Sequence, residues 1–338
     1  MANNKRLALL TSSPHFSVPI NTPMIMATVL VAIAPAAAYG VILYGLPALL
    51  TILVAVVAAV VSEALFRLAI RQKPRTGDLS AIITGLLLAL VLPPSTPLWM
   101  TALGAVFAVV VAKEFFGGLG ANVFNPALVG RAFLIMSFPA AITTWHVPGG
   151  WKPLTDAMTT ATPLNIVKQG GALADVGRNF AEAGLASSAD YGSTLWTLFV
   201  GNRSGCIGES SILLILAGGA FLLLTRVIDW RAPVAMIATA FAFSWLLGMD
   251  PLFGVLSGGL VFGAFFMATD YTSAPVTPVG KLLFGAGAGL ITVLIRKWGG
   301  YPEGVTYGIL IMNALSPFLN KIVPKKYGYV KAKKEAAK

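Results

Sequence analysis

Residues 46–66 read Leu46-Pro-Ala-Leu-Leu-Thr-Ile-Leu-Val-Ala-Val-Val-Ala-Ala-Val-Val-Ser-Glu-Ala-Leu-Phe66, with Glu63 as their one charged side chain. A helix rises about 1.5 Å per residue, so about 20 apolar residues cross the roughly 30 Å hydrocarbon core of a bilayer. Residues 46–66 therefore predict a transmembrane helix.

Similar apolar runs recur along the whole chain. Nine more predict membrane-spanning helices, near residues 24–44, 79–93, 98–113, 127–142, 209–225, 232–248, 252–268, 281–296 and 304–322. The composition agrees, since 57% of the residues are hydrophobic, 11% are charged and the mean hydropathy is +0.80. A chain this apolar needs lipid as its solvent, so we predict an all-α integral membrane protein with about ten transmembrane helices.

The ten predicted helices form two sets of five on either side of a polar segment. Because five is odd, the second set crosses the membrane in the opposite direction, as in an inverted repeat. Residues 83–90 and 256–263 are weakly similar, as are 130–136 and 308–314, although chance similarity between apolar helices is the alternative. We predict a single membrane domain over residues 1–338, with a cytoplasmic lead-in (1–23), a first repeat (24–142), a polar loop (143–208), a second repeat (209–322) and a basic tail (323–338).

The distribution of Lys and Arg predicts the orientation of the chain. The net charge is +11, and 18 of the 24 basic side chains, among them Arg67, Lys113 and Arg131, fall on the side that holds both termini. Most of the others lie in residues 143–208, and a loop of that length crosses largely regardless of its charge. We therefore predict cytoplasmic termini and an extracytoplasmic loop, which explains the basic excess without nucleic acid as a partner. One cysteine and two histidines exclude an iron-sulfur cluster or a structural zinc site built by this chain alone.

Three polar stretches that contain glycine or proline interrupt the apolar pattern, at residues 117–131, 201–211 and 268–278. Non-helical backbone at membrane depth must be satisfied by protein or line a cavity, so such stretches are typical of re-entrant or broken helices near binding sites. The alternative interpretation is an elaborate turn.

The polar loop contains the sequence Asp156-Ala-Met-Thr-Thr-Ala-Thr-Pro-Leu164. Pro163 favours an extended backbone at Thr162, and the preceding Ala161 is small, so we predict an exposed Thr162 hydroxyl. Taken alone, a threonine in such a loop is far more often only a loop residue.

This nonapeptide resembles the flavinylation motif of the RnfD/NqrB family, whose members belong to the Rnf electron transport complex and to the sodium-translocating NADH:quinone reductase. In that family an aspartate precedes Ser-Gly-Ala-Thr, and the final threonine carries FMN through a phosphoester bond. Asp156, Ala161 and Thr162 match this pattern, Thr159 stands for the serine, and Thr160 replaces the usual glycine.

Further family signatures occur in the same order over nearly the whole chain, at residues 13–15, 84–94, 117–126, 205–210 and 268–270. Together with the chain length they favour the Rnf branch of the family. The resemblance implies a protein, in the inner membrane of a bacterial cell, that forms part of a complex coupling electron transfer between ferredoxin and NAD to translocation of Na⁺ or H⁺. It implies covalent FMN at Thr162 and a second, noncovalent riboflavin, for which Gly120, Asn125 and Asp270 are candidate contacts.

The same resemblance implies the partners of the chain. They are the other Rnf subunits, including a flavin-bearing G-type subunit and iron-sulfur subunits, a flavin transferase for maturation, and membrane lipid.

Two other interpretations stay open from the residues alone. Ten glycine-rich helices without a charge at a predicted midplane also suit a channel or facilitator for a small polar solute, without a redox cofactor. Thr160 suits a scaffold that has kept the fold and lost the flavin. Bound flavin, visible as colour, distinguishes these interpretations.

Overall fold

A computed structural model describes residues 21–74, 76–149, 161–186 and 188–322. In chain order the helices of these ranges are α1 Thr22–Tyr44, α2 Leu46–Ala69, α3 Ser80–Leu90, α4 Leu98–Val110, α5 Pro126–Ser137, α6 Pro139–Ile142, α7 Pro163–Lys168, α8 Leu173–Glu182, α9 Tyr191–Val200, α10 Ile212–Leu224, α11 Arg231–Leu246, α12 Pro251–Leu256, α13 Leu260–Phe262, α14 Pro278–Trp298 and α15 Val305–Leu319.

Each of the ten apolar runs coincides with helix over most of its length. Four helices are long and apolar enough to cross a membrane by length and composition, namely Thr22–Tyr44, Leu46–Ala69, Leu98–Phe116 (α4 with its continuation) and Pro278–Trp298. Five more are apolar but shorter, namely Ser80–Leu90, Pro126–Ser137, Ile212–Leu224, Arg231–Leu246 and Val305–Leu319. The chain is a helical, multi-pass membrane protein.

The prediction of one continuous helix over residues 252–268 is wrong. Helix α12 ends at Leu256, the backbone at Ser257 is extended, and Gly258 has a φ of +64°. Helix α13 then begins at Leu260 and continues as a π-helix over Gly263–Met267. The break needs glycine, because a Cβ on Gly258 would lie 2.6 Å from Leu164 and one on Gly259 would collide with the Glu209 carboxylate.

The predicted helix 127–142 is also interrupted. Helix α5 ends at Ser137, and the short α6 starts at Pro139, which cannot continue the hydrogen bonding of the preceding turn. By contrast, the three polar stretches interrupt the helices as predicted. Most of each stretch is non-helical, at residues 117–125, 201–211 and 268–277.

The described part of the polar loop 143–208 contains helices α7, α8 and α9. These helices enclose a small apolar core of their own, formed by Val176, Phe180 and Leu198 together with Phe253 of α12. Phe253 therefore joins these three helices to the membrane part of the molecule.

Close helix packing in the membrane part depends on glycine. Gly218 of α10 lies against the Ala32 carbonyl of α1, and Gly285 of α14 lies against the Ala232 carbonyl of α11. No side chain fits at either position without displacing backbone, so glycine brings these helices close enough for dispersion contacts between their backbones.

We predict that Gly285→Ala lowers the stability of the protein by about 1–3 kcal/mol, because the added methyl group would collide with the Ala232 backbone. The measurement is thermal unfolding of the purified protein in detergent. Gly300→Ala is the matched control, since a Cβ there meets no atom within 4 Å. Equal unfolding temperatures for the two variants would contradict the packing argument.

Candidate functional site

Thr162 lies at the start of α7, where it acts as the N-cap. Its backbone is extended, with φ −67° and ψ 153°, as Pro163 predicts. The Oγ1 atom accepts a hydrogen bond from the Asn165 N–H at 3.3 Å. The side chain is half-buried, so the prediction of a freely exposed hydroxyl is wrong in degree.

The other motif residues are only partly visible in the structure. Ala161 precedes Thr162 and is half-buried. Asp156, Thr159 and Thr160 lie outside the described residues. The structure therefore locates the C-terminal end of the motif.

Thr162 borders a cavity of about 40 Å³. Five separate parts of the chain line the cavity, with Trp145, Thr162, Pro163, Leu164, Arg203, Ser204, Gly205, Cys206, Glu209, Gly258, Pro302 and Glu303. A water needs roughly 10–15 Å³ by this measure, so the cavity holds about three waters and is too small for a flavin ring.

Arg131 of α5 forms ion pairs with two carboxylates that line this cavity, Glu209 and Glu303. Its guanidinium donates to Glu209 Oε1 at 3.3 Å and makes a short contact with Glu303 Oε2. Glu303 also accepts the Gly259 N–H at 2.8 Å. Arg131 and Glu209 are both almost fully buried, and charges this deeply buried are stable only when paired and hydrogen-bonded.

Two more buried arginines bind the carbonyls that the break after α12 leaves free. Arg203 donates to Leu256 O at 2.7 Å and to Gly258 O at 3.3 Å. Arg296 of α14 donates to Ser257 O at 3.1 Å and to Gly254 O. The last carbonyls of any helix lack partners within it, and here guanidinium groups supply them.

The charge pattern along the sequence does not reveal this site. It counts Arg131 among the inner loop cations, and that placement is wrong because Arg131 lies inside α5 and contacts residues next to Thr162. A single arginine within an apolar run is the available signal, since such a residue needs a buried partner. Its partners lie 78 and 172 residues away, too far for any local pattern.

The second candidate region contains both Asn125 and Asp270, which lie close together in the structure. Both line a cavity of about 60 Å³, together with Ser80, Lys113 and Asn122. The Asn125 side chain caps α5 by accepting from Ala127 N at 3.1 Å and donates to Met267 O at 3.3 Å.

Gly120 does not line this second cavity. It has a φ of +97°, so it serves the turn before α5. Asp270 accepts hydrogen bonds from the hydroxyls of Thr272 and Ser273 at 3.0 and 2.8 Å.

A second buried ion cluster adjoins this cavity. Lys113 Nζ lies 2.7 Å from Glu63 Oε2 and 2.6 Å from Ser80 Oγ, and Arg67 Nε lies 3.1 Å from Glu114 Oε2. All four charged side chains are at most 3% exposed. The charge count also assigns Arg67 and Lys113 to inner loops, and their burial in ion pairs corrects this as well.

We predict that Arg131→Leu destabilises the protein by about 3–5 kcal/mol, because it leaves Glu209 and Glu303 buried without their cation. Arg178→Leu is the control. Its pair with Asp175 is 69% exposed on the arginine side, so its loss costs less than about 1 kcal/mol. Thermal unfolding of both variants gives the comparison, and a mild effect of Arg131→Leu would show that the network is not structural.

Comparisons with known proteins agree with the resemblance drawn from the motifs. A family model described as the NQR2, RnfD, RnfE family matches residues 9–328. The D subunit of the proton-translocating ferredoxin:NAD(+) oxidoreductase complex of Clostridium ljungdahlii is 43% identical over 333 residues, covering 96% of this chain and 97% of that protein.

Two further relatives match at nearly full length. The D subunit of the Na(+)-translocating ferredoxin:NAD(+) oxidoreductase complex of Acetobacterium woodii is 41% identical over 329 residues, covering 96% of this chain and 97% of that protein. The D subunit of the ion-translocating oxidoreductase complex of Stutzerimonas stutzeri is 40% identical, covering 90% of this chain and 91% of its own. The chain therefore belongs to the NQR2, RnfD, RnfE family.

Proposed function

We propose that this chain is the RnfD component of an ion-translocating ferredoxin:NAD⁺ oxidoreductase complex. The observation that carries this proposal is identity above 40% over nearly the full length of two relatives named as that component. One of these relatives is named for protons and the other for Na⁺, so both ions are compatible with this fold. The chain acts within a complex and not as an enzyme by itself.

We further propose that Thr162 carries FMN in phosphoester linkage. In the attachment step the Thr162 oxygen bonds to the FMN phosphorus of FAD, the pyrophosphate bond breaks, AMP leaves and the hydroxyl proton is lost. A separate magnesium-dependent transferase supplies the activation. When bound, the flavin supplies electron transfer, and this chain supplies the anchoring oxygen.

The surroundings of Thr162 support this assignment. The Oγ1 atom accepts the capping hydrogen bond from Asn165, so the cap does not use the proton that the attachment removes. The cavity behind Thr162 is too small for the ring system. Thr162 would hold a flavin through its Oγ1 atom, and the ring system would lie outside this cavity.

The proposed second flavin is less well matched by the structure. Asn125, Asp270 and Lys113 offer hydrogen-bonding groups to a polar ring edge. A cavity of about 60 Å³ does not accommodate riboflavin, since ligand pockets of that class measure about 300 Å³ or more. Noncovalent riboflavin therefore stays a prediction from the family, and we assign no step to it.

We also propose that the membrane part consists of ten spans in two inverted repeats. The two halves have matching contacts, since α2 packs on α4 and α11 packs on α14, while α4 contacts α5 and α14 contacts α15. The ends of α4 and α14 are similar too. Lys113 and Arg296 are both buried there, and a glycine pair follows each, at residues 117–118 and 299–300.

The proposed setting is a bacterial inner membrane, with cytoplasmic termini and residues 143–208 outside. Partners would be the other Rnf subunits, including a flavin-bearing G-type subunit and iron-sulfur subunits. The exposed inner cations Arg71, Lys73 and Arg226 support this orientation. The buried cations Arg67, Lys113 and Arg131 carry no such information, since they are held by carboxylates.

Mass spectrometry of the chain, produced together with its flavin transferase, tests the FMN assignment. The wild type should gain the mass of FMN less water, and Thr162→Ala should gain nothing. Thr160→Ala is the control, because it removes the nearest neighbouring hydroxyl of the motif and should keep the adduct. An adduct on Thr162→Ala would refute the linkage, and a colourless wild type that conducts a solute in liposomes would favour the channel.

Cysteine labelling tests the orientation. The single native cysteine, Cys206, is 1% exposed, so it adds little background. In spheroplasts, a membrane-impermeant maleimide should label Gln169→Cys in the exposed turn after α7 and spare Lys73→Cys in the exposed turn after α2. The reverse pattern would invert the topology.

A further inference from the structure

A large cavity lies away from Thr162, where three helices begin or end. Its volume is about 620 Å³. It is formed by the end of α10, the starts of α11 and α14, and the turn over residues 268–277. On the proposed topology this is the cytoplasmic face of the membrane part.

The cavity contains more positive than negative charge. Arg226, Arg231 and Lys281 line it with Asp229 and Asp270. Asp229 binds two of the cations at once, with Arg231 at 2.8 Å and Lys281 at 3.1 Å.

Asp229 is ionised at neutral pH. Burial raises the pKa of its carboxyl. The hydrogen bond from the Arg231 backbone N–H and the nearby Lys281 ammonium lower that pKa by more, so it lies below its ordinary value. Arg226 has no carboxylate within salt-bridge distance anywhere in the described part of the chain. The three cations and two carboxylates that line the cavity therefore leave a net charge of +1.

The backbone of Arg226 is unusual. It has a φ of +56°, a left-handed conformation that arginine adopts at a cost. Gly248 occupies the equivalent position two residues past the end of α11, and Arg71 occupies it after α2. A cation at a helix C-terminus gains from the helix dipole, which favours arginine at such a turn despite the backbone cost. What distinguishes Arg226 from Arg71 is that Arg226 lines the cavity.

The rim of the cavity is suited to the boundary between water and hydrocarbon. Trp230 and Tyr271 are each just over half exposed, and aromatic residues of this kind concentrate at membrane interfaces. Val276, 76% exposed, and the half-buried Leu223 add apolar walls. A ligand here would have an anionic head among cations and an apolar body along the helices.

We propose that this cavity binds the headgroup of an anionic phospholipid, with Arg226 and Lys281 facing its phosphate. The surplus of one positive charge matches a lipid of net charge −1, whereas a zwitterionic lipid leaves that charge uncompensated. The volume exceeds what a free phosphate ion would fill and lies in the range of amphiphile-sized pockets. This inference does not depend on the flavin assignment.

The test is thermal unfolding of the delipidated full-length chain in detergent, titrated with phosphatidylglycerol or with phosphatidylcholine of the same acyl chains. We expect phosphatidylglycerol to raise the unfolding temperature more. In Arg226→Gly the concentration needed for half of that effect should rise about fivefold, the usual contribution of one basic residue near a membrane surface. Glycine suits the left-handed backbone, so this variant keeps the turn.

Arg71→Gly is the matched control, because Arg71 is also an exposed arginine with a left-handed backbone, φ +60°, and does not line the cavity. It should keep the wild-type preference. An unchanged lipid preference in Arg226→Gly, or an equal loss in Arg71→Gly, would overturn the proposal. If inorganic phosphate alone reproduced the Arg226-dependent stabilisation, the site would be one for a free anion and the lipid assignment would be wrong.

Discussion

The pairing of Arg131 with Glu209 and Glu303 is the contact on which the arrangement around Thr162 depends. A charge within an apolar chain is tolerated only when it is fully partnered, so these three residues fix one another in place. They come from α5, from the polar stretch before α10 and from the turn before α15. One buried network therefore joins the first half of the protein, the end of the outer segment and the second half.

The same requirement explains where the backbone departs from helix. The break after α12 would leave several carbonyls without partners inside the protein, and Arg203 and Arg296 bind them. On the other side of the molecule, Asn125 follows an irregular segment, caps α5 and donates to Met267 O. Lys113 precedes that segment and pairs with Glu63 and Ser80. The two small cavities, beside Thr162 and beside Asn125, lie at these two irregular segments.

The apolar runs could be predicted from sequence because hydrophobicity over about 20 residues is a local property. The break at Ser257 could not, since Ser-Gly-Gly within an apolar run is equally compatible with a packed helix, and only the approach of Leu164 and Glu209 decides otherwise. The position of Arg131 escapes prediction for a related reason, because a charge count cannot recognise a carboxylate 172 residues away. The motif predicts Thr162 as the attachment residue, while the half-buried state of its side chain depends on packing that no motif encodes.

The long sequence separation within the Arg131 network has a consequence for biogenesis. Glu303 follows Arg131 by 172 residues, so the network cannot close until the chain has been synthesised as far as the turn before α15. Until then Arg131 lacks Glu303, one of its two carboxylate partners. The buried surroundings of Thr162 are therefore complete only after most of the second half has been made, and any step that depends on them follows the synthesis of that half.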